Sequence, residues 1–484
     1  MRALSWSAVS TIGGALINLG RAVLLSRLLQ PEQFGVFGLI VFALSAAATL
    51  SDLGMGRFAI VAKFSGPVEQ RRFLDTAWTM GLARGAALSV LMACLATPYA
   101  AAVHQRELAP LLATCSAWFL IGALASPGTL LLYRQLEQRS LALLRLTTDF
   151  FGFAITALFA WHMRTAWSLV IGWLAGAAFG TAVSYAAHPY RPHFAFDREM
   201  LRRGFAQGRH IALVFSLTFV TTQIDNLIVG RLLGAAALGV YLFAYRLASL
   251  PIDHIQSVAG SVAMPAYVHH RSGRPSMLGA QLQRVLIPST ALLCAGLLPM
   301  SLLRREIVLL LGGVRWAEAA PLLPPLLLLA LLRCSCIHLG TFLQSVERAE
   351  LEARAKLLEA ALFIPGCVLA VQAWGLLGAS WAGALVYALA IVQRTAAIRQ
   401  VLPGQVRAVT SAWGRTALLA VVISAAGLLA ERSGASPLWV APSALCIYVP
   451  VALCLEPMLR QKLQRFFHVH PPIEPRSDPT RPLR

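Results

Sequence analysis

The chain has 484 residues, of which 57% are hydrophobic and 13% charged, with 41 Lys and Arg against 21 Asp and Glu for a formal net charge of +20. A soluble protein carries about 25% charged residues, and apolar runs long enough to cross ~30 Å of hydrocarbon recur here from end to end. A soluble enzyme, a secreted domain and a disordered chain are excluded, and the reading is an all-α, polytopic integral membrane protein. Its basic surplus is not a nucleic-acid footprint, because it falls mostly in short loops, where it orients helices and attracts anionic membrane lipids.

Taken in chain order, apolar windows predict about fourteen transmembrane helices, at 6–28, 34–56, 73–99, 108–132, 141–162, 166–187, 210–230, 236–258, 285–303, 319–344, 357–373, 375–393, 413–430 and 437–459. Only a tight turn at Trp374 separates the eleventh and twelfth. The N-terminus lacks a signal-cleavage pattern, so the first span is expected to be retained. With that terminus in the cytoplasm, cytoplasmic segments collect 29 basic residues and the opposite side 8. This asymmetry predicts both termini on the cytoplasmic side and an even number of spans. The expected organisation is an N-terminal six-helix lobe (1–190), a cytoplasmic linker helix (191–209), a second six-helix lobe (210–400), two additional helices (401–460) and a disordered tail (461–484). Within the linker, Met200, Leu201 and Phe205 share a helical face with Arg198, Arg202 and Arg209 largely off it, the pattern of a helix lying on a leaflet.

Eight cysteines lie in apolar stretches without a C-x-x-C pair, and read as buried small hydrophobes rather than metal ligands or disulfides. Gly172, Gly176 and Gly180, and Gly81 with Gly85, give G-x-x-x-G spacings that let helices approach closely. Pro288, Pro299, Pro321, Pro324, Pro325 and Pro365 predict kinks or ends in second-half spans. Glu350–Arg354 and Glu352–Lys356 read as i,i+4 pairs on a solvated helix end, and Arg145–Asp149 as a local pair. Asp75, near a helix start, suits the helix dipole.

One internal repeat stands out. Arg27-Leu28-Leu29 followed by Phe34-Gly35-Val36-Phe37 recurs as Arg231-Leu232-Leu233 followed by Leu238-Gly239-Val240-Tyr241, an offset of 204 residues. Six spans fit within the offset, so the two halves share one topology, as in parallel-repeat transporters whose bundles enclose a central cavity. The segments Leu25-Ser26-Arg27-Leu28-Leu29-Gln30-Pro31-Glu32-Gln33-Phe34-Gly35 and Asp52-Leu53-Gly54 resemble Wzx-type polysaccharide flippases of the multidrug/oligosaccharidyl-lipid/polysaccharide exporter (MOP) superfamily. So do Asp225 to Gly234, Gly239-Val240-Tyr241 and Ala244-Tyr245-Arg246-Leu247. The resemblance is sharp over about residues 20–60 and 220–255. It implies two six-helix lobes plus two C-terminal helices, and export of an oligosaccharide carried on a polyprenyl diphosphate. A polysaccharide polymerase and chain-length proteins would be partners of such an exporter.

Four basic residues lie well inside spans: Arg21, Arg84, Arg246 and Arg333. A central arginine costs at least ~2.5–3.5 kcal/mol to insert, so each is expected to face a partner or a wet cavity. Guanidinium binds phosphate through paired hydrogen bonds, and the four are the candidate cargo-binding residues, with interhelical ion pairs as the competing reading. Of the intramembrane acids, Asp225, Asp253 and Asp52 are candidates for H⁺ or Na⁺ coupling, and Asp225 or Asp253 could instead pair with Arg246. No cofactor or metal site is expected. The favoured function is a flippase moving O-antigen, capsule or exopolysaccharide repeat units by alternating access. Alternatives are a membrane-embedded glycan polymerase or ligase, disfavoured by the absence of D-x-D, G-x-S-x-G, H-E-x-x-H and Walker-type motifs, and a multidrug efflux pump, disfavoured by the basic character of the mid-membrane charges.

Overall fold

The computed structural model describes residues 2–52, 64, 66–135, 137–269, 275–402, 404, 406–434, 436–456 and 459. The predicted tail, 461–484, lies outside them. All regular structure among the described residues is helical. The first half comprises α1 (Arg2–Leu28), α2 (Pro31–Leu50), α3 (Pro67–Ala102), the short α4 (Leu108–Cys115), α5 (Ala117–Ala123) and α6 (Gly128–Arg134), then α7 (Gln138–Met163) and α8 (Trp167–Ala187). The second half comprises α9 (Arg198–Leu232), α10 (Ala235–His269), α11 (Pro275–Leu302), α12 (Arg304–Leu311), a 3-10 helix (Val314–Leu322), α13 (Leu323–Ser345) and α14 (Ala349–Val401), followed by α15 (Val406–Arg432) and α16 (Pro437–Leu455).

Ten helices among the described residues are long and apolar enough to cross a membrane, or eleven when α4–α5 and α6, bent by 63°, form one span. The fourth predicted window is therefore a broken helix, interrupted at Ser126-Pro127, where proline cannot continue the hydrogen-bond ladder. The 53-residue α14 holds two predicted spans, separated at Gly375 (φ 58°, ψ −136°), one residue past the expected turn. That left-handed φ suits glycine, and Gly378 then packs where a Cβ would sit 1.8 Å from the Ala370 carbonyl oxygen.

The glycine row of α8 packs directly on α7. A Cβ on Gly172 would meet Thr156 Oγ1 at 1.9 Å, one on Gly176 would lie 3.2 Å from Gly152 Cα, and one on Gly180 would meet Thr148. Thr156 returns its hydroxyl to the Gly152 carbonyl at 2.7 Å, so the polar group that allows this approach is satisfied within its own helix. Of the second glycine pair only Gly85 makes such a contact, against the Phe119 carbonyl, whereas a Cβ on Gly81 would meet open space. Five cysteines are buried as expected, but Cys94, Cys446 and Cys454 face outward from the protein.

The segment between the halves differs from the linker-helix expectation. Residues 188–197 are non-helical, and α9 then runs unbroken from Arg198 to Leu232. The non-helical stretch is pinned to α3 by Asp75, which accepts hydrogen bonds from the Tyr190 hydroxyl (2.7 Å) and the His193 backbone N–H (3.0 Å). The dipole role read for Asp75 thus gives way to a tether. Ala195 N–H donates to Thr79 Oγ1, and Phe194 packs on Trp78. Next to the tether, burial and the neighbouring Arg191 charge hold the His188 imidazole below its ordinary pKa, leaving Nδ1 to accept the Tyr190 N–H at 3.1 Å.

Candidate functional site

A cavity of about 690 Å³ lies between the halves, lined by α1, α2, α7 and α8 on one side and α9, α10 and α13 on the other. Its α1 wall runs from Gly14 through Asn18 and Arg21 to Leu25, steps of three and four that place them on one helical face. Eleven residues at 1.5 Å each give a wall of roughly 16 Å. On α10 the spacing Leu242, Tyr245, Arg246, Ser249 does the same.

Three of the four predicted arginines, Arg21, Arg246 and Arg333, meet at this cavity, and Arg145 joins them. Arg246 Nη2 donates to Asn18 Oδ1 across the two halves at 2.7 Å, and Arg333 Nη1 donates to the Tyr245 hydroxyl at 2.5 Å. Neutral oxygens thereby orient two of the guanidiniums. Asp149 is close enough to act electrostatically on Arg21, and so is Arg246. Because guanidinium does not deprotonate in proteins, the cavity holds a standing positive field that low-dielectric walls focus. Arg145 escaped notice because its spacing to Asp149 suggested a self-contained pair; that pair exists, at 3.7 Å, with Arg145 largely exposed and Asp149 half-buried.

Arg84 is elsewhere. It donates to the Ala48 carbonyl (3.3 Å) and Ser51 Oγ (3.2 Å) and borders a separate cavity of about 300 Å³ within the first half, beside Asp52, Trp78 and Gly81. Asp225 is buried at 4% exposure, accepting from the Tyr241 hydroxyl (2.7 Å) and the Asn226 N–H (3.0 Å), and it acts electrostatically on Arg333. It does not pair with Arg246. The Asp253 side chain lies outside the described residues.

Two features were not legible as such. Arg394, placed by hydropathy at the end of a span, is 1% exposed and donates to both oxygens of Glu352 (3.0 and 2.8 Å) and to Glu359 Oε2 (3.1 Å). Glu352 therefore turns inward instead of pairing with Lys356 on a solvated surface. An aromatic cluster behind the cavity wall is the other: Trp316 on the 3-10 helix is fully buried, packs on the cavity-lining Phe34 and Phe243 at 5.1 and 4.5 Å between centroids, and donates Nε1 to the Ser26 carbonyl at 2.8 Å. Further along, Phe37 packs edge-on against Trp173, which Trp118 meets at a tilt of 35°, and Phe37 and Trp173 reach the cavity. Among the described residues no group of three His, Cys, Asp or Glu could hold a metal ion.

Residues 24–321, more than half of the chain and most of the cavity wall, match the model of the family described as polysaccharide biosynthesis protein. The chain belongs to that family. It is 24% identical to the lipopolysaccharide biosynthesis protein WzxC of Escherichia coli (strain K12) over 375 residues, 77% of this chain and 75% of the relative. It is 24% identical to the teichuronic acid biosynthesis protein TuaB of Bacillus subtilis (strain 168), covering 80% and 79%. The fold matches a structure of the lipid II flippase MurJ in an inward closed conformation, with TM-score 0.75 at 14% identity over 96% of this chain and all of that one. An inward-facing multidrug transporter of the MATE family, in the MOP superfamily, matches with TM-score 0.63 at 16% identity, covering 82% of this chain and 98% of that one. The family member is thus a polytopic membrane protein with a MOP-type transporter fold.

Proposed function

We propose that this protein flips a polyprenyl-diphosphate-linked oligosaccharide, a repeat unit of a surface polysaccharide, from the cytoplasmic to the opposite leaflet by alternating access. The observation that carries the reading is the meeting of Arg21, Arg145, Arg246 and Arg333 from both halves at one cavity. A diphosphate offers the counter-charge, guanidinium binds it through paired hydrogen bonds, and the aromatic faces of Phe37 and Trp173 offer sugars an apolar surface. The related proteins named for lipopolysaccharide and teichuronic acid biosynthesis, and the MurJ fold, support that cargo class. An inside-negative potential favours outward movement of an anion by ~2.3 kcal/mol per charge per 100 mV.

Fourteen spans with both termini cytoplasmic, in a bacterial inner membrane, complete the proposal. The packing of α1 against α7, and of α9 against α14 and α2, supports counting both as spans. The coupling ion is assigned to Asp225, whose carboxylate faces the field of Arg333. Imposing a proton or Na⁺ gradient on vesicles holding Asp225→Asn tests it: gradient-stimulated transport should vanish, and stimulation equal to wild type contradicts the assignment. The cargo itself is tested in proteoliposomes with a fluorescent polyprenyl-diphosphate oligosaccharide. Arg21→Ala and Arg333→Ala should each slow translocation at least tenfold, and unchanged rates would overturn the reading.

A further inference from the structure

Positions of the repeated segment related by the 204-residue offset meet reciprocally across the boundary between the halves. A Cβ on Gly35 would lie 1.7 Å from the Ala235 carbonyl oxygen, and one on Gly239 would lie 1.8 Å from the Pro31 carbonyl oxygen. Pro31 and Ala235 are themselves offset mates that open α2 and α10. Each glycine therefore receives the first residue of the other half's helix. Gly38 faces its own mate, Leu242, whose Cδ1 would sit 2.2 Å from a Cβ there. A position touching its own equivalent is the mark of a two-fold axis, as in an isologous dimer interface.

The arginines obey the same rule. Arg27 Nη2 donates to the Leu310 carbonyl, in the last turn of α12, at 2.5 Å. Arg231 Nη1 donates to the carbonyl of Ala102, the last residue of α3. Each cation thus satisfies an orphan carbonyl at the C-terminal end of a helix in the opposite half, where the helix dipole also favours positive charge. Ser26 adds a bond to the Leu311 carbonyl at 3.1 Å. These contacts lie at the end of the cavity lined by Leu25 and Phe34, which Trp316 backs.

We propose that Arg27, Arg231, Gly35 and Gly239 form the latch of a gate, holding the two halves shut over that end of the cavity, and that opening it exchanges four reciprocal contacts at once. The proposal rests on the transport reading only for the direction in which the gate opens; that the contacts keep the halves together does not depend on what is carried. The latch is made of hydrogen bonds to backbone carbonyls and of close backbone approach, not of ion pairs, so its parts break without leaving unpaired buried charge. Wet helix ends can be satisfied by water when it parts.

The test measures distance between the halves. Spin labels at Glu107→Cys, in the turn after α3, and Arg305→Cys, in the first turn of α12, both exposed positions on opposite halves, go into full-length protein with Cys94, Cys446 and Cys454 replaced by Ala. Wild type should show one dominant short-distance population. Arg27→Ala/Arg231→Ala should cut that population at least twofold in favour of longer distances, and Gly35→Ala, adding one methyl against the Ala235 carbonyl, should do the same alone. Arg27→Lys/Arg231→Lys, which keeps a donor, should hold it near wild type, so a loss in the Ala pair is not misfolding. Unchanged distances in both the Ala pair and Gly35→Ala overturn the latch, even if translocation slows. Widened distances in a protein that never moves lipid-linked oligosaccharide sustain the latch and sink the flippase reading instead.

Discussion

At the scale of single residues, fixed charges in a low-dielectric interior decide most of what matters. The Arg394–Glu352–Glu359 cluster is buried at 1%, 6% and 1% exposure. Removing one partner of such a cluster strands the others, at a cost of about 3–5 kcal/mol. Arg394→Ala should therefore unfold at markedly lower temperature, followed through the reactivity of buried Cys336, while Arg394→Met combined with Glu352→Gln and Glu359→Gln should recover most of the loss. A triple variant as unstable as the single one would contradict that account. In the Asp75 tether the Tyr190 hydroxyl donates to a buried carboxylate, so Tyr190→Phe should cost about 1.5–3 kcal/mol and mainly loosen residues 188–197. The same tether carries a pH dependence. His188 has its folded pKa lowered, so its neutral form is the one the fold favours; the contribution is full above the ordinary pKa of ~6.5 and falls away as pH drops through the folded value. A spin label at Phe196, 67% exposed, should become more mobile on acidification below about pH 6.5, and in His188→Asn that response should flatten.

Residue-level reading found the intramembrane arginines from hydropathy alone, since a charge inside an apolar run is conspicuous in any alphabet. It could not say which would converge. Arg84 and Arg333 look alike in sequence, yet one bonds Ser51 within its own half and the other reaches the shared cavity. Convergence depends on how helices rotate and cross, and rotation is set by contacts far apart in the chain. Arg394 was invisible for a related reason: its two carboxylate partners lie 42 and 35 residues upstream, brought to it by the fold-back at Gly375.

At the scale of elements, small residues dictated the seams and backbone breaks dictated the irregularities. The α7–α8 seam follows the row Gly172, Gly176, Gly180, which spacing alone exposed, and a bulky residue in its middle must push the helices apart. Gly176→Leu should lower thermal stability by about 1–3 kcal/mol, as overpacking does, whereas Gly81→Leu should cost little packing because its Cβ position is open. Equal destabilisation by the two would contradict the assignment of the seam. The fourth window was legible as apolar but not as broken, since its length matches a straight span and only Ser126-Pro127-Gly128 hints at the bend. The start of α9 reads in sequence as a separate interfacial helix because its polar, basic first turns interrupt the apolar run; the structure continues them into the span.

At the scale of the whole molecule, the internal repeat was the most informative signal in the chain. It announced two like halves from seven aligned positions, and those same positions form the contact between the halves. What no repeat could supply is the aromatic backing of the cavity wall, because Trp316 comes from a short 3-10 segment whose composition suggests an ordinary loop. A molecule built from two such halves, latched at one end around a cationic chamber, is suited to moving an anionic headgroup while a lipid tail stays in the bilayer.

The most direct test is made in the host, by deleting the gene and determining on which face of the membrane the lipid-linked oligosaccharide accumulates. Build-up on the cytoplasmic face, relieved by the wild-type chain and not by Arg21→Ala/Arg333→Ala, is the predicted result. Oligosaccharide reaching the outer face normally in the deletion strain, or full rescue by the arginine variant, would contradict the account.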